Sequence, residues 1–191
     1  MTDDEPILEG LVVSVDEAGR PNVAPMGPRV DRGITRLVLR PFRSAQTFHN
    51  LLATRHGVFH VTDDVLLLAQ AAVGELEPPP LVRVSGHPCP RLADCCRWMA
   101  FVVEQLDESQ ERATLVCRVT KRGEVRPFFG FNRAKHAVLE AAILATRIGI
   151  LPADEIRREF SRLAVLVEKT AGCQERQAFE YLERYVAGKL K

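Results

Sequence analysis

Side chains suited to binding an anion are concentrated between residues 29 and 47. The stretch up to Arg43 contains five arginines and one acid, Asp31, and it is followed by Ser44, Gln46 and Thr47. Arginine presents a forked set of donors that matches phosphate, and hydroxyls and free N–H groups at a helix start bind phosphate well. The pattern predicts a site for a phosphorylated ligand, although a solvated basic strand face followed by a capped helix would use the same residues.

No set of side chains in the sequence predicts a self-sufficient catalytic centre. The motifs G-x-S-x-G, H-E-x-x-H, G-x-G-x-x-G and the Walker loop are missing, and the five histidines lack the spacing of metal ligands. Redox chemistry by this protein would therefore have to come from a cofactor. Catalytic residues stay unassigned.

The cysteines do not form a metal or disulfide pattern. They are Cys89, Cys95, Cys96, Cys117 and Cys173. The spacing C-x5-C-C beside His87 is not a zinc spacing, and an odd count argues against a disulfide framework. We expect no metal and interpret the thiols as buried or half-buried residues.

Composition and charge are those of an ordinary globular protein. The 191 residues are 46% hydrophobic and 27% charged, which argues against disorder and coiled coil, and the net charge of +1 predicts no general attraction to nucleic acid or membranes. The longest apolar run, Trp98 to Val103, is six residues, whereas a membrane span needs about 20. The acidic N-terminus, Met1 to Pro6, lacks the layout of a signal peptide. We expect a cytoplasmic protein with no nucleic acid or membrane partner.

The elements that would position the basic segment are strands and two short helices. Alternating and β-branched residues predict strands over residues 10–16, 22–28, 33–40, 58–62, 97–106 and 113–120. The second of these contains two prolines, which confine it to a sheet edge or an irregular stretch. One helix is predicted to begin after a capping Ser44 and to end near residues 55–57, where Gly57 suits the left-handed cap position. Another is predicted over residues 65–73.

After Phe131 the apolar period changes from 2 to 3.6, which predicts three helices. The first begins after a capping Asn132 and ends near Ile148, and the others cover about residues 153–169 and 174–186. All strands come first and all long helices come last. That order predicts an α+β fold, an antiparallel barrel or sheet followed by a helical appendage.

Blocks of sequence resemble a known family in order over nearly the whole chain. They are residues 9–13, 21–27, 40–42, Ser44, Thr47, 50–51, 58–64, 131–134, 140–147 and 167–172. In these blocks the chain resembles an uncharacterised family of flavin-binding split-barrel proteins, domain of unknown function 447, related to flavin reductases and pyridoxamine-phosphate-oxidase-like proteins. The resemblance implies an FMN-binding, antiparallel split β-barrel domain in residues 1–130 and a C-terminal helical subdomain in residues 131–191.

The resemblance also implies FMN as the cofactor, and homodimers with FMN near the subunit interface. The isoalloxazine ring would lie along Asn22, Ala24, Pro25, Met26 and Gly27. The phosphate would be held by Arg43, Ser44, Gln46 and Thr47, with Asn50 nearby, and Asn132 and Arg133 are further candidates for the pocket. Many relatives carry a basic residue where this chain has Gln46, and Arg43 or Arg40 would supply that charge.

Two functions are compatible with this resemblance. The first is an FMN-dependent, flavin-reductase-like oxidoreductase, which passes hydride or electrons between a reduced donor, NAD(P)H or a deazaflavin, and an acceptor that the sequence does not identify. The alternative is a non-enzymatic FMN-binding electron carrier or sensor.

A homodimer is also predicted from the residues themselves. The run from Trp98 to Val103 does not alternate, so both faces of that strand should be covered. A partner subunit is the natural cover for a small barrel. We expect a dimer that buries at least about 1,600 Å² in total.

Overall fold

The structure is a computed structural model that describes residues 5–190. Over this range the strands are β1 (Gly10–Val15), β2 (Pro21–Met26), β3 (Arg29–Val30), β4 (Arg36–Leu39), β5 (His56–Val61), β6 (Leu81–Val82), β7 (Arg91–Leu92), β8 (Arg97–Asp107) and β9 (Thr114–Glu124). The helices are α1 (Gln46–Thr54), α2 (Val65–Val73), α3 (Arg133–Ala145), α4 (Ala153–Thr170) and α5 (Cys173–Lys189). The prediction that the N-terminus is not a signal peptide rests in part on residues 1–4, which lie outside the described residues.

Seven strands form one antiparallel sheet in the order β2-β1-β5-β8-β9-β4-β3. Strands β6 and β7 form a separate antiparallel pair. Strand β2 lies at one edge of the large sheet, where Asn22 is opposite Ser14 of β1. The prediction that the proline-containing strand is an edge strand is therefore confirmed.

The chain divides into two compact units, each discontinuous in sequence. The first contains the chain up to Thr62 and Pro79–Pro127, and the second contains Asp63–Pro78 and the chain from Phe128 onward. Helix α2 thus belongs to the second unit together with α3, α4 and α5. The domain boundary between residues 130 and 131 stays a prediction.

Strand β8 is covered on both faces by its own chain. Met99, Phe101 and Val103 belong to the main core of the sheet. The intervening Ala100 belongs to a second cluster with Val84 and Cys89. The run from 98 to 103 therefore lacks alternation because the segment around residues 84–89 covers its other face, and the run itself gives no argument for a partner subunit.

Helix α1 ends in the predicted region, but its two cap residues are not the predicted ones. Its N-cap is Ala45 rather than Ser44, and its left-handed C-cap residue is Arg55, with φ 60° and ψ 12°. Gly57 lies in β5 opposite Phe101, and a Cβ built on it would be 2.5 Å from the Phe101 ring. Gly57 is therefore required by packing against an aromatic ring, and the helix ends before it.

The second unit has a core of small and apolar side chains. One stripe of α3 is buried throughout, and it consists of Ala134, Ala137, Val138, Ala141 and Ala145. As predicted, Asn132 caps α3, because its Oδ1 accepts hydrogen bonds from the backbone N–H groups of Ala134 and Lys135. Among the described residues, no helix has both the length and the apolar composition that a membrane crossing requires.

Candidate functional site

Thr47 connects the start of α1 to the edge strand β2. The Nδ2 group of Asn22 donates a hydrogen bond to Thr47 Oγ1 over 3.0 Å. Thr47 is only 2% exposed. A hydroxyl has one donor and two acceptor sites. Because Asn22 fills an acceptor site, the hydroxyl hydrogen is the part of Thr47 that a phosphate oxygen could accept.

Asn50 extends this network into the sheet. Its Nδ2 donates to Ser14 Oγ of β1 over 3.1 Å, and its Oδ1 accepts from Gln46 Nε2 over 2.7 Å. Asn50 and Ser14 are buried, whereas Gln46 is exposed. The buried carboxamide of Asn50 thus orients the exposed carboxamide of Gln46. Two hydrogen-bonded pairs of predicted site residues, Asn22 with Thr47 and Gln46 with Asn50, therefore lie at the junction of β1, β2 and α1.

Ser14 is the member of this network that the sequence analysis did not assign. It lies in a strand of otherwise apolar residues and is fully buried. A buried hydroxyl requires a hydrogen-bond partner, so a serine within the run Leu11–Val15 was a signal that a polar side chain packs against β1.

Residues 24–27, which are predicted to line the flavin ring, lie along and just beyond the edge strand. Among the described strands, β2 pairs only with β1, so the backbone N–H and C=O groups on its outer edge are not used within the sheet. All four residues are half-buried. At Gly27 a Cβ would be 2.8 Å from the Glu9 carboxylate. A larger residue at this position would require the Glu9 side chain to move.

Arg43 and Ser44, predicted to bind phosphate, line an open cavity of about 770 Å³. Its other walls are Phe48, His49 and Leu52 of α1 and residues 108–111 of the loop between β8 and β9. The backbone N–H of Arg43 donates to the Glu111 carbonyl over 3.0 Å. Of the predicted phosphate ligands, Arg43, Ser44 and Gln46 are exposed, whereas Thr47 is buried and hydrogen-bonded to Asn22.

Asn132 and Arg133 lie in the second unit. The Asn132 carboxamide caps α3 through Oδ1, and its Nδ2 donates to the Thr170 carbonyl over 3.1 Å. Both the oxygen and the nitrogen of this carboxamide therefore form hydrogen bonds within the protein. Arg133 is exposed at the first position of α3. A contact of either residue with the ligand stays a prediction.

The cysteines of the 89–96 segment, Cys89, Cys95 and Cys96, are buried. Burial raises the pKa values of Cys89 and Cys95 to about 11, and Cys89 Sγ donates to the His56 carbonyl over 3.2 Å. A thiol with such a pKa is a weak nucleophile at neutral pH. Within residues 5–190, no group of three or more His, Cys, Asp or Glu side chains is arranged to hold a metal ion.

The seven-stranded antiparallel sheet followed by helices defines the class of protein. It is an α+β protein with a split barrel of the FMN-binding type, as predicted. The chain belongs to the DUF447 family, a family of proteins of unknown function. The model of the family's N-terminal domain matches residues 8–126, and that of its C-terminal part matches residues 132–184.

Solved structures share this fold. An FMN-bound DUF447 protein from Methanosarcina mazei is 22% identical, with a TM-score of 0.83 over 95% of both chains. The NADH:FAD oxidoreductase SgcE6 of Streptomyces globisporus is 13% identical, with a TM-score of 0.52 over 61% of this chain and 71% of that chain. An FMN-binding protein from Thermus thermophilus is 15% identical, with a TM-score of 0.51 over 64% and 72%. No curated protein matched the sequence.

Proposed function

We propose that the protein binds FMN and acts as an FMN-dependent oxidoreductase. The observation that carries this proposal is the hydrogen bond between Asn22 and Thr47, which joins the predicted ring segment to the predicted phosphate segment. The FMN-bound family member from Methanosarcina mazei, similar over 95% of both chains, supports the same cofactor.

The residues at this junction fit the cofactor's chemistry. The Thr47 hydroxyl, the second N–H of the Gln46 carboxamide and the guanidinium of Arg43 are donors suited to a terminal phosphate. The edge of β2 offers backbone groups to a flat heterocycle. Asn22 positions the Thr47 hydroxyl, and Asn50 positions Gln46. Bound FMN would supply the hydride or electron transfer, for which the protein itself need supply no acid or base.

An oxidoreductase role is supported by the similarity in fold to the Streptomyces globisporus NADH:FAD oxidoreductase. The reduced donor that we propose is NAD(P)H or a deazaflavin. The absorbance spectrum of the purified protein should show bound flavin, and the supernatant after denaturation should contain FMN. Together these two results would establish the cofactor. Stopped-flow mixing with NADH, NADPH or reduced deazaflavin should then bleach the bound flavin. If none of these donors bleaches the bound FMN, the proposed oxidoreductase activity is wrong, and the alternative function of electron carrier or sensor is favoured.

Replacing Cys89, Cys95 and Cys96 together by alanine should leave flavin content unchanged. It should change the rate of donor-driven reduction by less than about threefold, a barrier change of about 0.65 kcal/mol. All three thiols are buried, burial raises the pKa values of Cys89 and Cys95 to about 11, and hydride transfer to a flavin requires no thiol. Some stability should be lost where packing is removed.

The exposed Cys173→Ala variant is the matched control for loss of a thiol without loss of packing. Stoichiometric zinc in the purified protein would show that Cys89, Cys95 and Cys96 bind a metal. A folded triple variant that binds FMN but is no longer reduced by the donor would show that these cysteines take part in reduction.

A further inference from the structure

The cavity of about 770 Å³ between α1 and residues 108–111 contains side chains that the proposed flavin site does not use. All of its lining residues belong to the first unit. Besides Arg43 and Ser44, the lining consists of three α1 residues, Phe48, His49 and Leu52, and of the loop after β8. We call it the loop cavity. Its volume lies within the range of about 300–1,000 Å³ that is typical of small-molecule sites.

Helix α1 separates the loop cavity from the network that contains Thr47. The three α1 residues of the lining are three and four positions apart, so they lie on one side of the helix. Gln46 and Asn50 are also four positions apart, are hydrogen-bonded to each other, and lie with Thr47 on the opposite side. The loop cavity therefore shares only Arg43 and Ser44 with the proposed phosphate ligands.

The loop that forms one wall of the cavity is fixed at both ends. Near its end, the backbone of Arg43 is hydrogen-bonded to Glu111, and the Arg112 guanidinium lies 4.2 Å from the centroid of the Phe42 ring. Near its start, the backbone N–H of Ser109 donates to an Asp107 carboxylate oxygen over 2.9 Å. These contacts hold the backbone of the loop, so the cavity does not need a ligand in order to form.

Polar side chains of this wall are available to a ligand. Among residues 5–190, three of them are exposed and form no hydrogen bond or ion pair, namely Glu108, Gln110 and Glu111. The apolar part of the lining consists of Leu52, which is 38% exposed, and the buried Phe48. The loop cavity thus offers two carboxylates, one carboxamide and an apolar wall, together with the arginine and the serine that suit a phosphate.

This set of groups matches the parts of an adenine nucleotide. The carboxamide of a glutamine forms two hydrogen bonds with adenine, one donated and one accepted. Carboxylates accept hydrogen bonds from the hydroxyls of a ribose, and a flat base packs against apolar side chains such as Leu52. A phosphate attached to that ribose has Arg43 and Ser44 as donors.

We propose that the loop cavity binds the adenosine monophosphate group of a dinucleotide. Flavin adenine dinucleotide and nicotinamide adenine dinucleotide both carry this group. The carboxylates of Glu108 and Glu111 repel a further phosphate on the ribose, so the cavity selects the form without a 2′-phosphate. Arg43 and Ser44 alone are shared with the proposed flavin site, so the inference rests on the proposed function only for these two phosphate donors.

The first test uses AMP as the probe and the full-length protein. Isothermal titration calorimetry should give a dissociation constant below about 1 mM. Leu52→Asn, which makes the apolar wall polar, should weaken AMP binding about 10-fold and leave the affinity for FMN unchanged. Val165→Asn alters another exposed apolar side chain on a helix and should bind AMP as wild type does. A wild type that does not bind AMP, or a Leu52→Asn variant with the wild-type affinity for AMP, would overturn the proposal.

The second test examines the two carboxylates with a probe that carries one more phosphate. Wild type should bind AMP at least about 10-fold more tightly than adenosine 2′,5′-bisphosphate. Glu108→Gln with Glu111→Gln should reduce this preference to less than about threefold, because the amides bond to ribose but carry no charge. Glu17→Gln with Glu180→Gln, which removes two exposed acids outside the cavity, should keep the preference. If the cavity variant also keeps it, the ribose does not lie beside these carboxylates and the proposal is wrong.

Competition distinguishes the two dinucleotides. Flavin adenine dinucleotide should displace both AMP and FMN, because its flavin needs the flavin site. Oxidised nicotinamide adenine dinucleotide should displace AMP and leave FMN bound. Equilibrium dialysis against each dinucleotide measures both ligands, and a failure of both to displace AMP would overturn the proposal. A protein that binds AMP but not FMN would contradict the proposed function alone, whereas one that binds FMN but not AMP would contradict only the adenosine site.

Discussion

Removing two hydroxyls at the start of α1, in Thr47→Val with Ser44→Ala, is expected to release FMN on dialysis. Each charge-assisted hydrogen bond that is lost should cost about 1.5–3 kcal/mol, which is about 10- to 150-fold in affinity. Thr47→Val keeps the shape of a buried side chain and removes the group that would donate to the phosphate. Fluorescence titration of the apoprotein with FMN measures the change in the dissociation constant.

Riboflavin, which has no phosphate, separates a phosphate effect from a disturbed pocket. Its affinity should be unchanged in the double variant if Thr47 and Ser44 bind only phosphate. Because Thr47 also accepts a hydrogen bond from Asn22, a fall in riboflavin affinity would show that the ring segment has shifted. Thr54→Val with Ser161→Ala removes two hydroxyls elsewhere and should bind FMN as wild type does. An FMN affinity unchanged by the double variant would contradict the phosphate assignment.

Sequence patterns predicted helices and strands well where those elements are determined by interactions between residues close in sequence. Helix α4 was predicted over residues 153–169 and is found over Ala153–Thr170. The cap at Asn132 was predicted because an asparagine accepting from the next N–H groups is a local interaction. Strands β8 and β9 were predicted over residues 97–106 and 113–120 because both are runs of strand-forming residues, and they are found over Arg97–Asp107 and Thr114–Glu124.

Features that depend on contacts distant in sequence could not be predicted in the same way. Gly57 matches a helix cap by composition, but its position is decided by the Phe101 ring on β8. Val84 and Cys89 pack against Ala100 of β8, and this contact depends on the path that the chain takes between β6 and β7. An apolar run alone does not show whether its cover comes from the same chain or from a partner.

The phosphate segment of the candidate site was predicted from its residue types, whereas the ring segment was predicted only through the family resemblance. Tertiary contacts bring the two segments together. Asn22 and Thr47 are 25 residues apart, and their hydrogen bond exists because β2 lies beside α1. Ser14 was missed because a single serine in a strand carries no spacing pattern. Its role is visible only through Asn50, which is 36 residues away in sequence.

Acidification is expected to destabilise the protein through His60, which is fully buried in β5. Its Nε2 accepts from the Leu92 N–H over 3.0 Å, so the neutral ring carries its hydrogen on Nδ1, 3.2 Å from the Leu11 carbonyl. Burial, with a further contribution from the nearby charge of Arg91, lowers the pKa of His60 from 6.5 to about 4. Between these values the unfolded chain binds a proton that the folded chain does not.

The free energy of unfolding should therefore fall by up to about 1.4 kcal/mol per pH unit as the pH drops from about 6.5 towards 4, or about 3 kcal/mol in all. Urea unfolding at fixed protein concentration and a series of pH values measures this slope. His60→Gln, which can still accept from Leu92 and donate to Leu11, should lower stability at neutral pH but flatten the slope. Burial also lowers the pKa of His87, so His87→Gln measures the second contribution, and the exposed His49→Gln is the control. A His60→Gln variant that keeps the wild-type slope, or a His60 imidazole that titrates by NMR near pH 6.5 in the folded protein, would show that this ring is not held neutral by burial.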